Sequence, residues 1–314
     1  MAGMRPMRSF LLWMARSERL GETIPNLPFA QRAVRRFMPG ERVEDAFAAA
    51  DRLRDEGIGI LFTRLGENIQ APAEASEVLE HYQAVLRTDA GRPAGRRPIE
   101  ISVKPTQLGL DHDHVACLES CEILAVDCAR NGTWFWVDME GSAYTDRTMA
   151  LCEALMARHP NVGIAIQAYL RRSVADVLRL LPLKPAIRLV KGAYDEPEAI
   201  AYRDPAEVDA NFLALAIILA GPASRGDCRL ALGTHDVELI EQIRSITDAQ
   251  AVPASTLEVH MLYGIRAREL LRLRDAGLPA FTLIAYGAAW YRWYMRRLAE
   301  RPANVIFALR QLVP

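Results

Sequence analysis

Two adjacent arginines and a glutamate near the carboxyl end of the chain have the types and spacing of a site for a small zwitterion. Arg296, Arg297 and Glu300 fall within an arc of about 100° on one predicted helix, since each residue turns by about 100°. Two planar guanidinium groups side by side can hold a carboxylate in bidentate geometry, and Glu300 can orient them or receive a cationic amine. The alternative is an exposed Arg–Glu pair on an ordinary amphipathic helix.

The composition is that of a soluble globular protein. The 314 residues are 51% apolar and 25% charged, which suits one large domain or two ordinary ones. The net charge of −1 gives no electrostatic reason to expect nucleic acid as a partner. The arginine-rich stretch 266–301 is either a solvated helix face or a patch that approaches anionic lipid.

The cysteines and the apolar runs indicate a cytoplasmic protein. No pair of cysteines has the Cys-x-x-Cys spacing, and their number and irregular placement do not suit a disulfide framework. The apolar piece at residues 10–15 is too short to cross a bilayer, and no other run reaches the ~18 apolar residues that a span requires. We expect a cytoplasmic location, with peripheral contact at the inner face of the membrane. The five cysteines are Cys117, Cys121, Cys128, Cys152 and Cys228.

Eight short apolar runs alternate with segments of helical spacing about every 30 residues. This order predicts an α/β fold, a distorted (βα)8 barrel of the TIM type, with a doubly wound open sheet as the alternative. No Gly-x-Gly-x-x-Gly sequence follows any run, which favours the barrel. We predict a helical arm at 1–57, closing the bottom or flank of a barrel at 58–314. The predicted strands are residues 58–65, 99–104, 133–139, 162–169, 187–191, 229–234, 257–262 and 281–285.

Polar residues stand at the carboxyl ends of these runs, which is unusual for strands that are buried on both faces. In a barrel the carboxyl ends of all strands meet at one face, so these side chains are expected to converge on one ligand. Single residues also have structural interpretations, such as an ion pair between Lys104 and Asp138 or a helix cap at His235. The polar residues are Lys104, Asp138, Gln167, Arg188, Lys191, Thr234, His235, Glu258 and His260.

The sequence Asp111-His112-Asp113-His114 has the residue types of a metal site. Alternating residues on a turn rarely direct four ligands to one ion. We expect a helix to begin here, with Asp111 or Asp113 as its cap, and no metal site.

Six motifs, taken together and in order, resemble the proline dehydrogenase family in its short monofunctional bacterial form. The likeness runs from about residue 10 to residue 312, and the RLVKGAY and RRLAE sequences are its most specific parts. The motifs are ISVKPTQLGL at 101–110, VDME at 137–140, QAY at 167–169, RLVKGAY at 188–194, GTH at 233–235 and RRLAERPAN at 296–304.

The resemblance implies an enzyme that carries FAD and oxidises L-proline to 1-pyrroline-5-carboxylate, the first step of proline catabolism to glutamate. It also implies a membrane quinone as electron acceptor and allows for a separate 1-pyrroline-5-carboxylate dehydrogenase as a partner. Non-covalent FAD, rather than FMN or a nicotinamide, is the expected cofactor.

The resemblance also assigns roles to individual residues of this chain. Asp138 and Arg188 take the catalytic positions, with Arg188 close to the N5 edge of the flavin. The residues implied at the substrate are Lys104, Tyr194, Leu283, Arg296, Arg297 and Glu300. The residues implied at FAD are Met139, Gln167, Arg188, Lys191, Gly192, Ala193, Thr234 and His235.

The chain departs from the family pattern at positions that bear on the substrate. Leu283 stands where relatives have a tyrosine that covers the substrate ring, His260 stands where glutamine is usual, and Asp195 and Glu196 add acidic groups. A related enzyme acting on hydroxyproline or an N-alkyl amino acid is therefore one alternative. A barrel that senses an amino acid or flavin without turnover is another, although the presence of Asp138, Arg188 and Lys104 together speaks against it.

The paired arginines give a first testable prediction. Arg297→Lys should weaken substrate binding by about 1.5–3 kcal/mol and leave the flavin bound, because a point charge cannot replace two parallel hydrogen bonds. Substrate titration of both proteins, followed through the flavin absorbance, measures this difference. Equal apparent affinities would mean that Arg297 belongs to an ordinary solvated helix.

Overall fold

A computed structural model describes residues 14, 17–24, 27–66, 69, 71–93 and 95–300. In the first two helices and in the last one, some residues are described by their backbone alone. The side chains of Arg296, Arg297 and Glu300 are among these, so their predicted grouping lies outside the described part of the chain.

Eight parallel strands form a closed barrel within the described residues, and β8 completes it by pairing with β1. The predicted (βα)8 fold is confirmed, and each predicted strand run coincides with one observed strand. The strands are β1 Gly59–Arg64, β2 Glu100–Val103, β3 Phe135–Val137, β4 Val162–Gln167, β5 Ala186–Val190, β6 Arg229–Gly233, β7 Leu257–Leu262 and β8 Ala280–Tyr286.

One longer helix follows each strand, and three described helices precede β1. The preceding helices are α1 Glu18–Thr23, α2 Pro28–Val34 and α3 Val43–Asp55. The others are α4 Pro72–Ala90, α5 His114–Arg130, α6 Ser142–Met156, α7 Ser173–Leu180, α8 Pro205–Ser224, α9 Val237–Ala249, α10 Ala267–Asp275 and α11 Trp290–Glu300. Short 3-10 helices lie at Pro105–Leu108, Leu181–Leu183 and Ala254–Thr256.

Asp113 begins α5 as its amino-terminal cap. Its carboxylate accepts hydrogen bonds from the backbone N–H groups of Val115, at 2.8 Å, and Ala116, at 3.1 Å. The first N–H groups of a helix have no hydrogen-bond partner within the helix, and Asp113 supplies one for two of them. The predicted cap is therefore confirmed. Over the residues that the structure describes, no group of three or more His, Cys, Asp or Glu side chains is arranged to hold a metal ion.

The strands divide their side chains between an apolar outer layer and a mixed interior, because successive residues point to opposite faces. In β5, Ile187 and Leu189 join the main core cluster between barrel and helices, whereas Arg188 points inward. Helix α8 alone among the described helices is long and apolar enough to cross a membrane, by length and composition. Its Phe212 and Leu215 are fully buried in the same cluster, as expected of a helix that covers a barrel.

The helices before α3 pack at the carboxyl-end side of the barrel. Phe37 and Met38 share a buried cluster with Trp290 and Tyr294 of α11, and Leu65, which directly follows β1, belongs to it. The arm was expected at the bottom or flank of the barrel. Its last helix, α3, packs on the flank, where Phe47 meets Phe62 of β1 at 5.2 Å between ring centroids. The division at residue 57 stays a prediction.

A cluster of ionic side chains occupies the amino-terminal end of the interior. Arg229, the first residue of β6, donates to both carboxylate oxygens of Glu258, at 2.9 and 2.7 Å, and to Glu100 at 2.8 Å. Glu258 is the second residue of β7, so the expectation that it belongs to the carboxyl-end site is wrong. Its place as second residue of the predicted strand 257–262 already indicated the amino-terminal end, and its pairing with Arg229 agrees with this.

His260 lies above this cluster as a fully enclosed neutral histidine. Its Nε2 is 3.2 Å from Glu258, and its ring packs against Phe281 at 4.7 Å and Trp136 at 5.6 Å between centroids. Burial lowers the pKa of His260 from 6.5 to about 4, and the hydrogen bond that its Nε2 donates to Glu258 only partly opposes this.

This depressed pKa predicts acid-sensitive stability. The unfolded chain binds a proton at His260 below about pH 6.5 that the folded chain excludes, so the free energy of unfolding should fall between pH 6.5 and 4.5. His260→Gln should reduce that fall by on the order of 1–3 kcal/mol. Urea unfolding across this range measures it, with the exposed His114→Gln as control. Parallel pH curves for His260→Gln and the unmodified protein would contradict the assignment.

Candidate active site

Arg188, Asp138 and Ser102 form a hydrogen-bonded group inside the barrel. Arg188 is only 4% exposed, and its Nη2 donates to Asp138 and, at 2.8 Å, to the Ser102 hydroxyl. That hydroxyl donates to Asp138 Oδ1 at 3.0 Å. Three strands supply the group, since Ser102 lies in β2, Arg188 in β5 and Asp138 directly after β3. The predicted convergence of Asp138 and Arg188 is found, but the suggested pairing of Asp138 with Lys104 is replaced by this arginine.

Two polar atoms near this group are buried and have no hydrogen-bond partner within the described part of the chain. They are Nη1 of Arg188 and Oε1 of Gln167. The Gln167 side chain is held in place because its Nε2 donates to the carbonyl oxygens of Met139, at 3.1 Å, and Glu140, at 3.2 Å. Orphaned buried polar atoms are costly, so a fixed donor and a fixed acceptor of this kind suit a polar ligand.

Gly192, immediately after β5, has a backbone conformation and surroundings that require glycine. Its φ of +113° is in the region that favours glycine, and an added Cβ would lie 2.3 Å from the ring of Tyr169. No other residue fits there without displacing that ring. The absence of a side chain at Gly192 therefore makes room for the Tyr169 ring, and Ala193 and Tyr194 follow as half-buried residues.

Lys191 is engaged with two carboxylates. Its Nζ lies 2.5 Å from Asp209 and 2.7 Å from Asp236. Its positive charge is therefore largely compensated within the protein, in contrast with Arg188, whose Nη1 still has donor capacity.

The loops after β2 and β3 are fastened to each other next to Lys104. Glu140 is buried and accepts hydrogen bonds from the Thr106 backbone N–H, at 3.1 Å, and hydroxyl, at 2.7 Å. The Lys104 N–H donates to Gln107 at 3.1 Å, and Gln107 donates onward to the Arg64 carbonyl at 2.7 Å. These bonds fix the backbone that carries the half-buried Lys104.

Thr234 and His235 follow β6 at the same face. Thr234 is buried, and Nε2 of His235 accepts a hydrogen bond from the backbone N–H of Leu262 at 2.9 Å. His235 does not cap a helix; Asp236 does, by accepting from the Leu239 N–H at 3.3 Å. His235 therefore ties the end of β6 to the end of β7.

The acidic pair after Tyr194 is directed away from the centre of the barrel. Asp195 is exposed and lies 3.5 Å from Arg203. Glu196 is buried and accepts from the backbone N–H of Ser142, at 2.7 Å, and from its hydroxyl. Glu196 thus fixes the start of α6 rather than adding free acid to the site.

Leu283 lies inside the barrel, where it packs against the buried cluster that contains Leu61 and Trp136. It is half-buried, and its carbonyl accepts from the Tyr263 N–H at 3.0 Å. Sequence reasoning overlooked Ser102, Glu140 and Trp136. Ser102 could have been found, because it stands two residues before Lys104 and must face the same side of β2.

The fold and this site define a (βα)8-barrel protein with a polar ligand site at the carboxyl ends of its strands. A family model described as proline dehydrogenase matches residues 46–310. Proline dehydrogenase 1 of Bacillus subtilis (strain 168) is 31% identical over 281 residues, which cover 89% of this chain and 90% of that protein. Proline dehydrogenase of Deinococcus radiodurans is 32% identical over 290 residues, which cover 88% of this chain and 89% of that protein.

Solved structures agree on the fold. Proline utilization A from Bdellovibrio bacteriovorus, inactivated by N-propargylglycine, superposes with a TM-score of 0.78 at 21% identity. The match covers 92% of this chain and 38% of that protein, so the chain spans well under half of its length. The chain belongs to the proline dehydrogenase family, a family of oxidoreductases, as the sequence motifs predicted.

Proposed function

We propose that this chain is an FAD-dependent proline dehydrogenase that oxidises L-proline to 1-pyrroline-5-carboxylate and passes the electrons to a quinone. The observation that carries the proposal is the fixed Arg188 guanidinium with one unpartnered nitrogen, beside the unpartnered Gln167 Oε1. Membership of the family and the names of the curated relatives support it.

The residues at the carboxyl ends of β4, β5 and β6 fit a flavin. Gln167 offers an acceptor to a ring N–H, and Arg188 offers a donor. Bound FAD would supply the acceptor for a hydride from the carbon next to the proline nitrogen. The residues proposed to hold it are Met139, Gln167, Arg188, Lys191, Gly192, Ala193, Thr234 and His235.

Arg188 is proposed to act electrostatically at this site. Its guanidinium is held by Asp138 and Ser102 before any ligand arrives, so no reorganisation is needed when negative charge develops beside it. Because the barrel interior excludes water, the attraction between the guanidinium and this negative charge is stronger there than at the surface. Asp138 keeps Arg188 in place by an ion pair and, with Arg188, is proposed as catalytic.

We propose that charged side chains bind the substrate carboxylate and that apolar side chains contact its ring. Arg296 and Arg297 would bind the carboxylate, with Lys104 assisting and Glu300 orienting the arginines. Leu283 and Tyr194 would form the wall against which a pyrrolidine ring packs. An apolar wall favours the neutral form of the amine, which hydride loss requires.

The proposed setting follows from the same chemistry. The protein would be cytoplasmic and would approach the inner face of the membrane to reach its quinone. A separate 1-pyrroline-5-carboxylate dehydrogenase would consume the product. The bifunctional protein PutA of Escherichia coli matches 52% of this chain, which makes up 14% of that protein, so its other function belongs to a part that this chain does not match.

Two measurements on the purified protein test the proposal. We expect a yellow protein whose chromophore, released by denaturation, is FAD, and whose absorbance bleaches when L-proline is added under anaerobic conditions. Adding L-leucine, which has no secondary amine, is the control. A colourless protein that takes up no FAD would refute the flavin assignment, and a yellow protein that no cyclic or N-alkyl amino acid bleaches would indicate a sensor.

A second candidate, oxidation of hydroxyproline or another N-alkyl amino acid, is favoured by Leu283. This side chain lies within the barrel with Leu61 and Phe281 and has neither the hydroxyl nor the aromatic face of tyrosine. The pocket is therefore expected to be roomier on the far side of the ring.

Leu283→Tyr tests this difference. It should sharpen the preference for proline over 4-hydroxyproline through contacts worth about 1–3 kcal/mol, read as the ratio of kcat/KM values. Leu283→Phe is the matched variant, because it restores the aromatic face without the hydroxyl. If the unmodified protein already strongly prefers proline and neither variant changes the ratio, Leu283 does not line the pocket.

A further inference from the structure

Trp136 forms a broad aromatic surface next to the Arg188 guanidinium. It is the middle residue of β3 and is completely buried, and Cζ of Arg188 lies 5.1 Å from its ring centroid. The residues paired with Arg188 on the neighbouring strands are Ala165 and Ala231. Their methyl groups are too small to restrain a guanidinium, so this role is left to Trp136 together with Asp138.

The indole is itself held by the ionic cluster at the amino-terminal end of the barrel. Trp136 Nε1 donates to Glu100 at 2.6 Å, and Glu100 accepts from Arg229 at 2.8 Å. Cζ of Arg229 lies 5.2 Å from the Trp136 ring centroid. The ring therefore contacts two guanidinium groups, and the hydrogen bond to Glu100 fixes its orientation.

The neighbouring strand leaves room for this orientation. Gly163 of β4 pairs with Trp136, and a Cβ added to Gly163 would lie 2.4 Å from Cε3 of the indole. His260 contacts the ring from another strand, at 5.6 Å between centroids. Gly163 and His260 thus leave a space that fits the indole in this orientation.

We propose that Trp136 is a positioning residue that holds Arg188 in the orientation the reaction needs, and that the Glu100–Arg229 pair fixes it for this purpose. This inference rests on the proposed function. An aromatic face attracts a guanidinium without neutralising it. Trp136 can therefore restrain Arg188 while leaving its positive charge for the flavin, which a second carboxylate could not do.

The test compares Trp136→Leu with Trp134→Leu. Trp134 is the matched control, because its ring lies 4.8 Å from Cζ of Arg229 in the same cluster, whereas Arg188 is in contact with Trp136. Trp136→Leu should lower kcat for proline about tenfold with little change in KM. A tenfold change corresponds to the free energy of about one buried cation–π contact. Trp136→Phe, which keeps an aromatic face but loses the hydrogen bond to Glu100, should recover only part of the loss.

The flavin midpoint potential is the second readout. A less fixed guanidinium stabilises the reduced ring less, so the potential of Trp136→Leu should move to more negative values while that of Trp134→Leu stays unchanged. If Trp136→Leu does not fold, Gly163→Ala replaces it, because the added methyl displaces the indole without removing it.

The outcomes separate the two proposals. Unmodified protein that takes up no FAD would overturn the proposed function and this inference together. Active flavoprotein in which Trp136→Leu and Trp134→Leu have equal kcat and equal potentials would overturn this inference alone, and Trp136 would then serve packing only.

Discussion

A guanidinium enclosed within a closed barrel is the constraint on which the rest of this structure depends. Burying an unpaired charge costs several kcal/mol, so Arg188 requires compensation from residues that face it across the barrel. Asp138 supplies the counter-charge and Ser102 supplies a hydrogen bond. These partners come from β3 and β2, and they meet Arg188 of β5 only because the strands close into a barrel in one register.

The interior holds two groups of ionic side chains. At the amino-terminal end, Arg229 forms ion pairs with Glu100 and Glu258, although its Nη1 is buried without a hydrogen-bond partner in the described chain. Further along the strands, Arg188 pairs with Asp138, and its Nη1 and the Oε1 of Gln167 are also buried without a partner there. The first group joins β2, β6 and β7, and the second is the one for which we propose a ligand.

The sequence predicts most of the barrel, because strands buried on both faces appear as short apolar runs. It also locates Asp138 and Gln167 through their place at the ends of those runs, and Arg188, in the middle of β5, through the RLVKGAY motif. The expectation for Glu258 is wrong because it stands second in its strand, at the end opposite to the candidate site, where Arg229 pairs with it. Trp136 was overlooked because an inward-facing tryptophan looks like ordinary core, and its contact with Arg188 depends on the barrel register.

A crystal structure of the protein with FAD would show whether the Arg188 group holds the flavin. We expect the flavin ring at the carboxyl ends of β4 and β5, with Arg188 Nη1 and Gln167 Oε1 within about 3.5 Å of its polar atoms. Arg188 should keep its contacts with Asp138 and Ser102. FAD bound elsewhere, or a flavin that leaves both atoms without a partner, would show that Arg188 and Gln167 do not hold the cofactor.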